Sequence, residues 1–418
     1  MTQLKEKALR HRWLIIIILI ALALRLAAAL SVQEGIHWKD GLEYDSFAAS
    51  LQKEHAYLNQ WGNPSAYRPP GYPVFLLLCG RNSTVLRIVQ SLLGAFTALL
   101  AYLAGKKTIG RKGGLLAAAL TAIYPLYVYA AVTYYPTVLL TLFLCAIFIL
   151  LVEGKRQKSI KKLFTAGILS GFAILTKGSF LPAMLLAAVW LAAEKREGEN
   201  SGGGPPLRLR LRDTMVFIIP VLIIIGLWGL RNYRALESFR PLSTNSGYNF
   251  WLGSYPGVEA DTGNRKLPGQ REEELSIRKS YYGEVELDRA FLRKGLEHVR
   301  EDPGRFAALA VSKALNFWRF YPSPMTRELK LWEKAASALS YGAVLILGLY
   351  FLLTRLRSSP EARLILLIFI GHTAVHALFI SKVRLRLPLD SLLIICAAGG
   401  VRELAGMWGL KMFKGAAE

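Results

Sequence analysis

The chain has 418 residues, 53% of which are hydrophobic, and a mean hydropathy of +0.32. Soluble domains are about 45–50% apolar and scatter those residues by period. This chain instead gathers them in blocks of about 15–20 residues, the length that a helix needs to cross the hydrocarbon core of a membrane. A soluble enzyme, a fibrous protein and a secreted disulfide scaffold are excluded, and a polytopic helical membrane protein remains.

Ten apolar blocks follow one another along the chain. Each is long enough for one membrane-spanning helix, so we predict an all-α bundle of about ten transmembrane helices. The blocks are residues 13–30, 86–104, 114–131, 136–152, 163–176, 180–193, 214–230, 335–353, 364–380 and 387–401.

The charge is strongly basic, with 52 Lys and Arg against 29 Asp and Glu and a net charge of +23. Residues 259–302 carry 11 acids and 9 bases, a net of −2, so the rest of the chain carries +25. The bases cluster in alternate loops, and the positive-inside rule makes these loops and both termini cytoplasmic. The basic residues of the cytoplasmic loops therefore explain the excess of positive charge, and no nucleic-acid partner is needed. The basic clusters are residues 5–12, 106–112, 155–162, 195–212, 355–363 and 402–414.

Two loops on the opposite side are too long to be simple connections, and such loops usually carry function or a fold of their own. They divide the chain into three predicted parts. Residues 1–230 form an N-terminal transmembrane module that includes the first outer loop, 32–87. Residues 231–334 form a second outer loop with amphipathic helices, and residues 335–418 form the C-terminal transmembrane helices. The Gly- and Pro-rich stretch within residues 194–212 is predicted to be a flexible cytoplasmic linker.

The first outer loop is predicted to contain a helix from Asp40 onward. Tyr44, Phe47, Ala48 and Leu51 recur at spacings of three and four residues and form one apolar stripe. Asp40 lies one turn before Tyr44 on the same face. It is a candidate base at the membrane surface, with a helix N-cap as the alternative role.

The same loop ends in a Pro-rich stretch, residues 66–75. Its three prolines, one glycine and two tyrosines, Tyr67 and Tyr72, predict a rigid, non-helical entry to the next apolar segment. Arg68 is held there beside aromatic rings.

The second outer loop opens with Arg231, Asn232 and Tyr233, followed by a stretch rich in hydroxyl, amide and aromatic side chains up to residue 253. Aromatic rings cover the apolar face of a sugar while amides meet its hydroxyls, so this stretch is a candidate sugar-binding segment. An aromatic belt at the membrane interface is the alternative for Tyr248 and its neighbours. Beyond it we predict one charged amphipathic helix over residues 270–299 and another over 306–320, which we place on the outer surface.

Three cations lie at the outer end of the ninth block, where the positive-inside rule does not expect them: Lys382, Arg384 and Arg386. Guanidinium groups bind phosphate through a planar fork, so a lipid phosphate is one explanation. Snorkelling toward lipid headgroups is the other. Lys177, at another outward end, adds to the same positive field.

Taken together, five motifs resemble those of bacterial membrane glycosyltransferases of the GT-C superfamily. Within it they are similar to family 39, which includes protein O-mannosyltransferases and the aminoarabinose transferase that modifies lipid A. The motifs occur in the right order over nearly the whole chain. One departure is Tyr134-Tyr135-Pro136, where such proteins often carry a Ser-Glu pair. The motifs begin at Asp40, Tyr67, Leu230, Pro241 and Arg386.

The resemblance implies transfer of a sugar from a polyprenyl-phosphate donor to a hydroxyl of a lipid, glycan or protein, usually with inversion. The reaction would take place on the outer face of a bacterial cytoplasmic membrane. Asp40 would be the general base, with Asp45, which lies off its face, as the alternative carboxylate. The leaving phosphate would be stabilised by Arg68, Lys177, Arg384 and Arg386. The predicted substrate-binding residues are Tyr44, Asp45, Tyr67, Tyr72, Arg231, Asn232, Tyr233, Asn245, Tyr248 and Asn249.

A divalent metal cofactor is left open by the resemblance, because some relatives use one. The sequence itself shows no His, Asp and Glu residues at the spacing of metal ligands. His372 and His376, one turn apart inside a span, are expected to make interhelical hydrogen bonds.

Two other functions compete with the enzyme: a flippase for an anionic lipid-linked sugar, and a non-catalytic assembly protein. A flippase should show charges or broken helices near mid-membrane in both halves, and Arg25 is the one clear mid-span charge in the sequence.

Overall fold

The computed structural model describes residues 2–32, 39–194, 207–261, 267–321 and 330–407. Within these ranges the chain forms sixteen α-helices and one short 3-10 helix, Gly178–Phe180. The predicted all-α class is confirmed. The predicted linker within 194–212 lies largely outside the described residues. The helices are α1 (Thr2–Ser31), α2 (Lys39–Glu54), α3 (Gly71–Leu78), α4 (Ser83–Ile123), α5 (Pro125–Ala130), α6 (Thr137–Arg156), α7 (Ile160–Thr176), α8 (Leu181–Ala193), α9 (Leu207–Leu236), α10 (Ser246–Ser254), α11 (Gln270–Ser280), α12 (Glu284–Glu301), α13 (Pro303–Phe317), α14 (Leu331–Arg355), α15 (Pro360–Leu378) and α16 (Val383–Met407).

Six helices of the described part are long and apolar enough to cross a membrane, so the chain is a multi-pass membrane protein. They are α4, α6, α9, α14, α15 and the segment His11–Ser31 of α1. All ten apolar blocks of the sequence lie in helices or at their ends. The number of about ten crossings stays a prediction.

The helix α4 holds the block 86–104 and the first part of the block 114–131, which continues into α5, because α4 folds back on itself. Its backbone leaves the helical region at Gly110, where φ is 77°, a conformation that glycine adopts without strain. The two arms then run side by side so closely that a Cβ on Gly105 would lie 2.9 Å from the Cα of Gly114. The blocks 86–104 and 114–131 therefore occupy different arms of a helical hairpin.

The two loops predicted to face outward contain most of the shorter helices, and two details differ from the prediction. The stretch 66–75 is not wholly non-helical, because α3 begins at Gly71, directly after Pro70. Pro73 fits in the first turn of this helix, where its missing N–H has no partner to lose. The single helix predicted over 270–299 is instead two, α11 and α12, separated by Tyr281, Tyr282 and Gly283.

A set of hydrogen bonds joins the two loops. The Glu284 carboxylate at the start of α12 accepts bonds from the Ser65 hydroxyl at 2.6 Å, from the Ala66 N–H at 2.8 Å and from the Thr244 hydroxyl. Arg231, near the end of α9, donates to the carbonyls of Ser65 and Tyr57, each at 2.7 Å. The segment before Arg68 is therefore fixed against the second loop.

Candidate functional site

Asp40 lies in the first turn of α2, so it is not the residue that precedes the helix, and its carboxylate is engaged in ion pairs. Arg68 Nη2 donates to Oδ1 at 2.9 Å, and Arg384 Nη2 donates to Oδ2 at 3.0 Å. These partners lie 28 and 344 positions away in the sequence. The structure thus joins the first outer loop to the start of α16 at the predicted base.

Glu43 is a second carboxylate at this site, and the sequence interpretation did not select it. It lies one turn after Asp40 on α2, and its Oε2 accepts from Arg68 Nε at 2.9 Å and from Nη2 at 2.5 Å. The i, i+3 spacing of two acids at the start of a helix was the signal available in the sequence. Both carboxylates therefore share one guanidinium.

Tyr135 connects the remaining cations. Lys177 Nζ donates to the Tyr135 hydroxyl at 2.5 Å and lies 4.7 Å from the ring centroid. The Arg384 guanidinium lies 5.1 Å from the same centroid. Cations stabilised over an aromatic face keep their full charge, so Tyr135 holds two cations without neutralising them. It lies in the stretch Tyr134-Tyr135-Pro136, where proteins of the resembling family often carry a Ser-Glu pair.

These groups form a row, in the order Glu43, Arg68, Asp40, Arg384, Tyr135 and Lys177, which we call the charge row. Two glycines allow its elements to approach. A Cβ on Gly41 would lie 2.8 Å from the carbonyl oxygen of Tyr134, and a Cβ on Gly71 would lie 2.5 Å from Oγ1 of Thr176, next to Lys177. The row is partly open to solvent, since the side chains of Asp40 and Arg384 are each 26% exposed.

The electrostatics of the row are asymmetric. Burial raises the pKa of Asp40, but the positive charges of Arg68, Arg384 and Lys177 outweigh that effect and hold the pKa below its ordinary value. Burial lowers the pKa of Lys177 to about 8, against the opposing effects of Tyr44 and Asp40. Arg68 is shared by two carboxylates, whereas Lys177 forms no ion pair with a carboxylate of the described residues. The Lys177 end is therefore the end of the row where positive charge is least neutralised.

Aromatic rings line the row on the side of the first loop, as the sequence predicted for Arg68. Its guanidinium lies 5.2 Å from the ring centroid of Tyr44 and 5.5 Å from that of Tyr67. Tyr72 is fully buried and packs edge-on against Tyr44, with centroids 5.1 Å apart. Tyr44 and Tyr67 border the row directly, while Tyr72 packs against Tyr44.

Arg386 is not brought into the row, and here the structure departs from the predicted set of phosphate-binding cations. It is fully buried, forms an ion pair with Asp390 at 3.0 Å, and donates to the carbonyls of Phe317 and Arg319. Its guanidinium also lies 3.5 Å from the ring centroid of Tyr341. Because Arg384 and Arg386 are two positions apart on one helix, they point to different sides of α16.

Several other predicted residues lie away from the row. Asp45 pairs with Arg81 at 2.8 Å, and Asn232 donates to the carbonyl of Arg240 at 2.6 Å. Arg231 belongs to the contacts between the loops described above, and the side chain of Tyr233 is largely exposed. These positions have structural partners or face solvent, and the structure does not assemble them around Asp40.

The segment of small and aromatic residues in the second loop forms α10. Tyr248 packs against Trp251 and Phe291, with ring centroids 5.7 and 5.1 Å away, and Asn245 accepts a bond from the Ser243 hydroxyl. Asn249 lies beside Tyr248 on the same short helix. Tyr248 therefore belongs to the small core of the second loop rather than to a belt of isolated side chains.

The donors of the row do not suit a divalent metal. Within the described ranges no three His, Cys, Asp or Glu side chains are placed to hold an ion. Both Asp40 and Glu43 already pair with guanidinium groups, and three cations close by would repel a metal. We derive no step through one.

Comparisons with known proteins agree with this architecture. A family model described as dolichyl-phosphate-mannose-protein mannosyltransferase matches residues 72–224, which is 153 of the 418 residues. The fold matches the oligosaccharyltransferase of Archaeoglobus fulgidus in its apo form with a TM-score of 0.57 at 15% identity, over 97% of this chain and 52% of that one. The chain has the fold of the GT-C superfamily of membrane glycosyltransferases. The fold that the resemblance of the motifs implied is thereby confirmed.

Two further GT-C structures define the extent of the likeness. The archaeal oligosaccharyltransferase AglB of A. fulgidus, in complex with an inhibitory peptide and a dolichol-phosphate, gives a TM-score of 0.52 at 15% identity, over 99% of this chain and 53% of that one. ArnT of Cupriavidus metallidurans bound to undecaprenyl phosphate gives a TM-score of 0.39 at 13% identity, over 98% of this chain and 82% of that one. The chain spans about half the length of the oligosaccharyltransferases. No curated protein sequence matches it significantly.

Proposed function

We propose that the protein is a glycosyltransferase that moves a sugar from a polyprenyl-phosphate donor to an acceptor hydroxyl of a lipid, a glycan or a protein. The observation that carries the proposal is the charge row. A carboxylate that can take a proton, Asp40, stands between a guanidinium shared with Glu43 and a pair of cations at Tyr135. The family-model match and the dolichol-phosphate in the AglB structure support a lipid phosphate as the donor.

The row has the order that the reaction needs. The acceptor oxygen forms a bond to the anomeric carbon while the bond from that carbon to the phosphate oxygen breaks, and the electron pair leaves with the phosphate. Lys177 and Arg384 would stabilise the charge that develops on this phosphate, as fixed cations do in a partly desolvated site. The acceptor proton would pass to Asp40, which lies next to Arg384 in the row.

Arg384 has two roles in this scheme because it pairs with Asp40 before the donor binds. A phosphate that draws Arg384 toward itself would free Oδ2 of Asp40. It would also reduce the positive charge near Asp40, so the pKa of this carboxyl would rise toward the range of a better base. Donor binding would therefore prepare the base, and an empty site would keep Asp40 unreactive.

We further propose that the charge row faces the outside of a bacterial cytoplasmic membrane, with both termini in the cytoplasm. The basic loops at 106–112, 155–162 and 355–363 support this orientation through the positive-inside rule. The row then belongs to the outer parts of the chain, namely the loop 32–87 and the ends of helices next to the loop 231–334. We propose inversion, because a single displacement by the acceptor hydroxyl, with Asp40 taking the proton and the phosphate leaving from the opposite face, inverts the anomeric carbon.

Loss of the gene should remove one sugar modification from the cell surface. Because transfer would occur on the outer face, the product should be found among surface lipids, glycans or exported proteins. The measurement is mass spectrometry of these fractions from cells with and without the gene, with gene restoration as the control. Identical spectra under conditions in which the protein is present would contradict the proposed function.

The flippase alternative gains little from the structure. Arg25, the mid-span charge, is buried and donates to the backbone carbonyls of Ala21, Thr121 and Ala122, each at 2.9 Å. Its hydrogen bonds tie α1 to the α4 hairpin, which is a structural role. Transport therefore stays the alternative function, and a direct assay would distinguish it from sugar transfer.

A further inference from the structure

Glu43 is a carboxylate of the charge row to which the scheme above gives no role. Its side chain is 29% exposed, slightly more than that of Asp40. Both contacts from Arg68 go to the same oxygen, Oε2. Among the described residues Oε1 has no hydrogen-bond partner, whereas each carboxylate oxygen of Asp40 accepts from a guanidinium. Oε1 is thus the open carboxylate oxygen of the row.

The position of Glu43 in the row limits what it could contact. The cations Arg384 and Lys177 gather at the opposite end, beyond Asp40, and a donor phosphate belongs there. Glu43 instead lies on the side of Arg68 and Tyr67, whose ring lies against the guanidinium. A carboxylate would repel a phosphate, but it accepts hydrogen bonds from hydroxyl groups. The acceptor is the substrate whose reacting hydroxyl must come beside Asp40, one turn from Glu43 on α2.

The same side of the row approaches the second outer loop. Tyr67 is close enough to Tyr248 and Arg278 for their charges to act on its pKa, which burial raises to about 12. Arg278 in turn lies 5.5 Å from the ring centroid of Tyr248 and pairs with Glu274. Tyr67 therefore lies between the Glu43 side of the row and aromatic and hydrogen-bonding groups of the second loop, a combination that suits a hydroxyl-rich ligand.

Resting on the proposed function, we propose that Glu43 binds the acceptor: Oε2 holds Arg68 in place while Oε1 accepts a hydrogen bond from an acceptor hydroxyl. Glu43 would orient the hydroxyl toward Asp40, which lies one helical turn away. No covalent step passes through Glu43, and the proton still goes to Asp40. The substrate class that this carboxylate selects is an uncharged polyhydroxy group rather than a second phosphate.

Glu43→Gln tests this role because it keeps the size of the side chain and an oxygen for Arg68 while removing the charge at Oε1. Undecaprenyl-phosphate-linked hexoses and pentoses, tried one at a time, serve as donors, and a detergent extract of the cell's own membranes serves as the acceptor source. The amount of extract that gives half-maximal transfer should rise about 10- to 100-fold, the loss expected for a hydrogen bond to a charged group. Binding of undecaprenyl phosphate should stay unchanged, and Glu43→Asp should restore part of the loss.

Glu54→Gln, at the exposed end of the same helix, is the matched control and should change neither quantity. If Glu43→Gln weakens undecaprenyl phosphate binding as much as acceptor use, Glu43 only supports Arg68 and the proposal is wrong. It is also wrong if acceptor use does not change. Failure of the wild-type protein to transfer sugar from every donor would instead reject the proposed function itself.

Discussion

Asp40→Asn should lower sugar transfer by about 10²- to 10⁴-fold, the usual contribution of a general base. The amide keeps the size of the side chain but cannot accept the acceptor proton at neutral pH. Binding of undecaprenyl phosphate should survive and become several-fold tighter, because Asp40 no longer competes with the phosphate for Arg384. Transfer is measured by release of labelled sugar from the lipid, and binding is measured by displacement of a fluorescent polyprenyl phosphate.

Asp45→Asn is the control for this experiment. Asp45 lies on the same helix, and its side chain is 30% exposed against 26% for Asp40, but it pairs with Arg81 instead of the charge row. Its replacement should leave transfer near the wild-type rate. Folding of both variants is checked by gel filtration and thermal melting, since loss of an ion pair can also destabilise a protein. Near-normal transfer by folded Asp40→Asn would remove Asp40 from the mechanism.

Lys177→Gln should weaken binding of undecaprenyl phosphate by about 10- to 100-fold, as expected when a hydrogen bond to a charged group is lost. Burial lowers the pKa of Lys177 to about 8, so the free protein loses this charge as the pH rises through that value. Wild-type affinity should therefore fall between about pH 7 and pH 9, a range centred on that pKa. Lys177→Arg should resist this fall because arginine keeps its proton.

Lys53→Gln serves as the matched control, because Lys53 is an exposed cation of α2 outside the charge row. This variant tests whether any positive charge near the outer surface would strengthen binding of undecaprenyl phosphate equally well. Equal losses for Lys53→Gln and Lys177→Gln would indicate a general attraction for anionic lipids. A flat pH profile for the wild type would also contradict the role given to Lys177.

The sequence predicts the architecture well because the signals that carry it are local. Apolar blocks of spanning length identify the helices of the bundle, and the three- and four-residue spacing after Asp40 identifies α2. The sequence signal for the break between α11 and α12 at Tyr281-Tyr282-Gly283 is weaker, because the charged pattern continues on both sides of it. The start of α3 at Gly71 was missed because prolines also occur in the first turn of a helix.

The site itself is harder to predict because its contacts join distant parts of the chain. Asp40 was chosen from its position, but its pairing with Arg384 depends on the packing of α16 against the bundle. Arg384 and Arg386 look equivalent in the sequence, and only the fold shows that Asp390 and Tyr341 enclose the second. Tyr135 carries no charge and gave no signal as a site residue, although it contacts both cations at the phosphate end.

A single reconstituted assay distinguishes transfer of sugar from a lipid phosphate from transport of the intact lipid-linked sugar. Purified protein is placed in vesicles with a labelled undecaprenyl-phosphate-linked sugar and the membrane extract, and the label is followed both into the acceptor fraction and across the bilayer. We expect label to appear on an acceptor while free undecaprenyl phosphate accumulates, and Asp40→Asn to abolish both changes. Movement of the intact lipid-linked sugar across the vesicle membrane, with no label transferred, would contradict the proposed function.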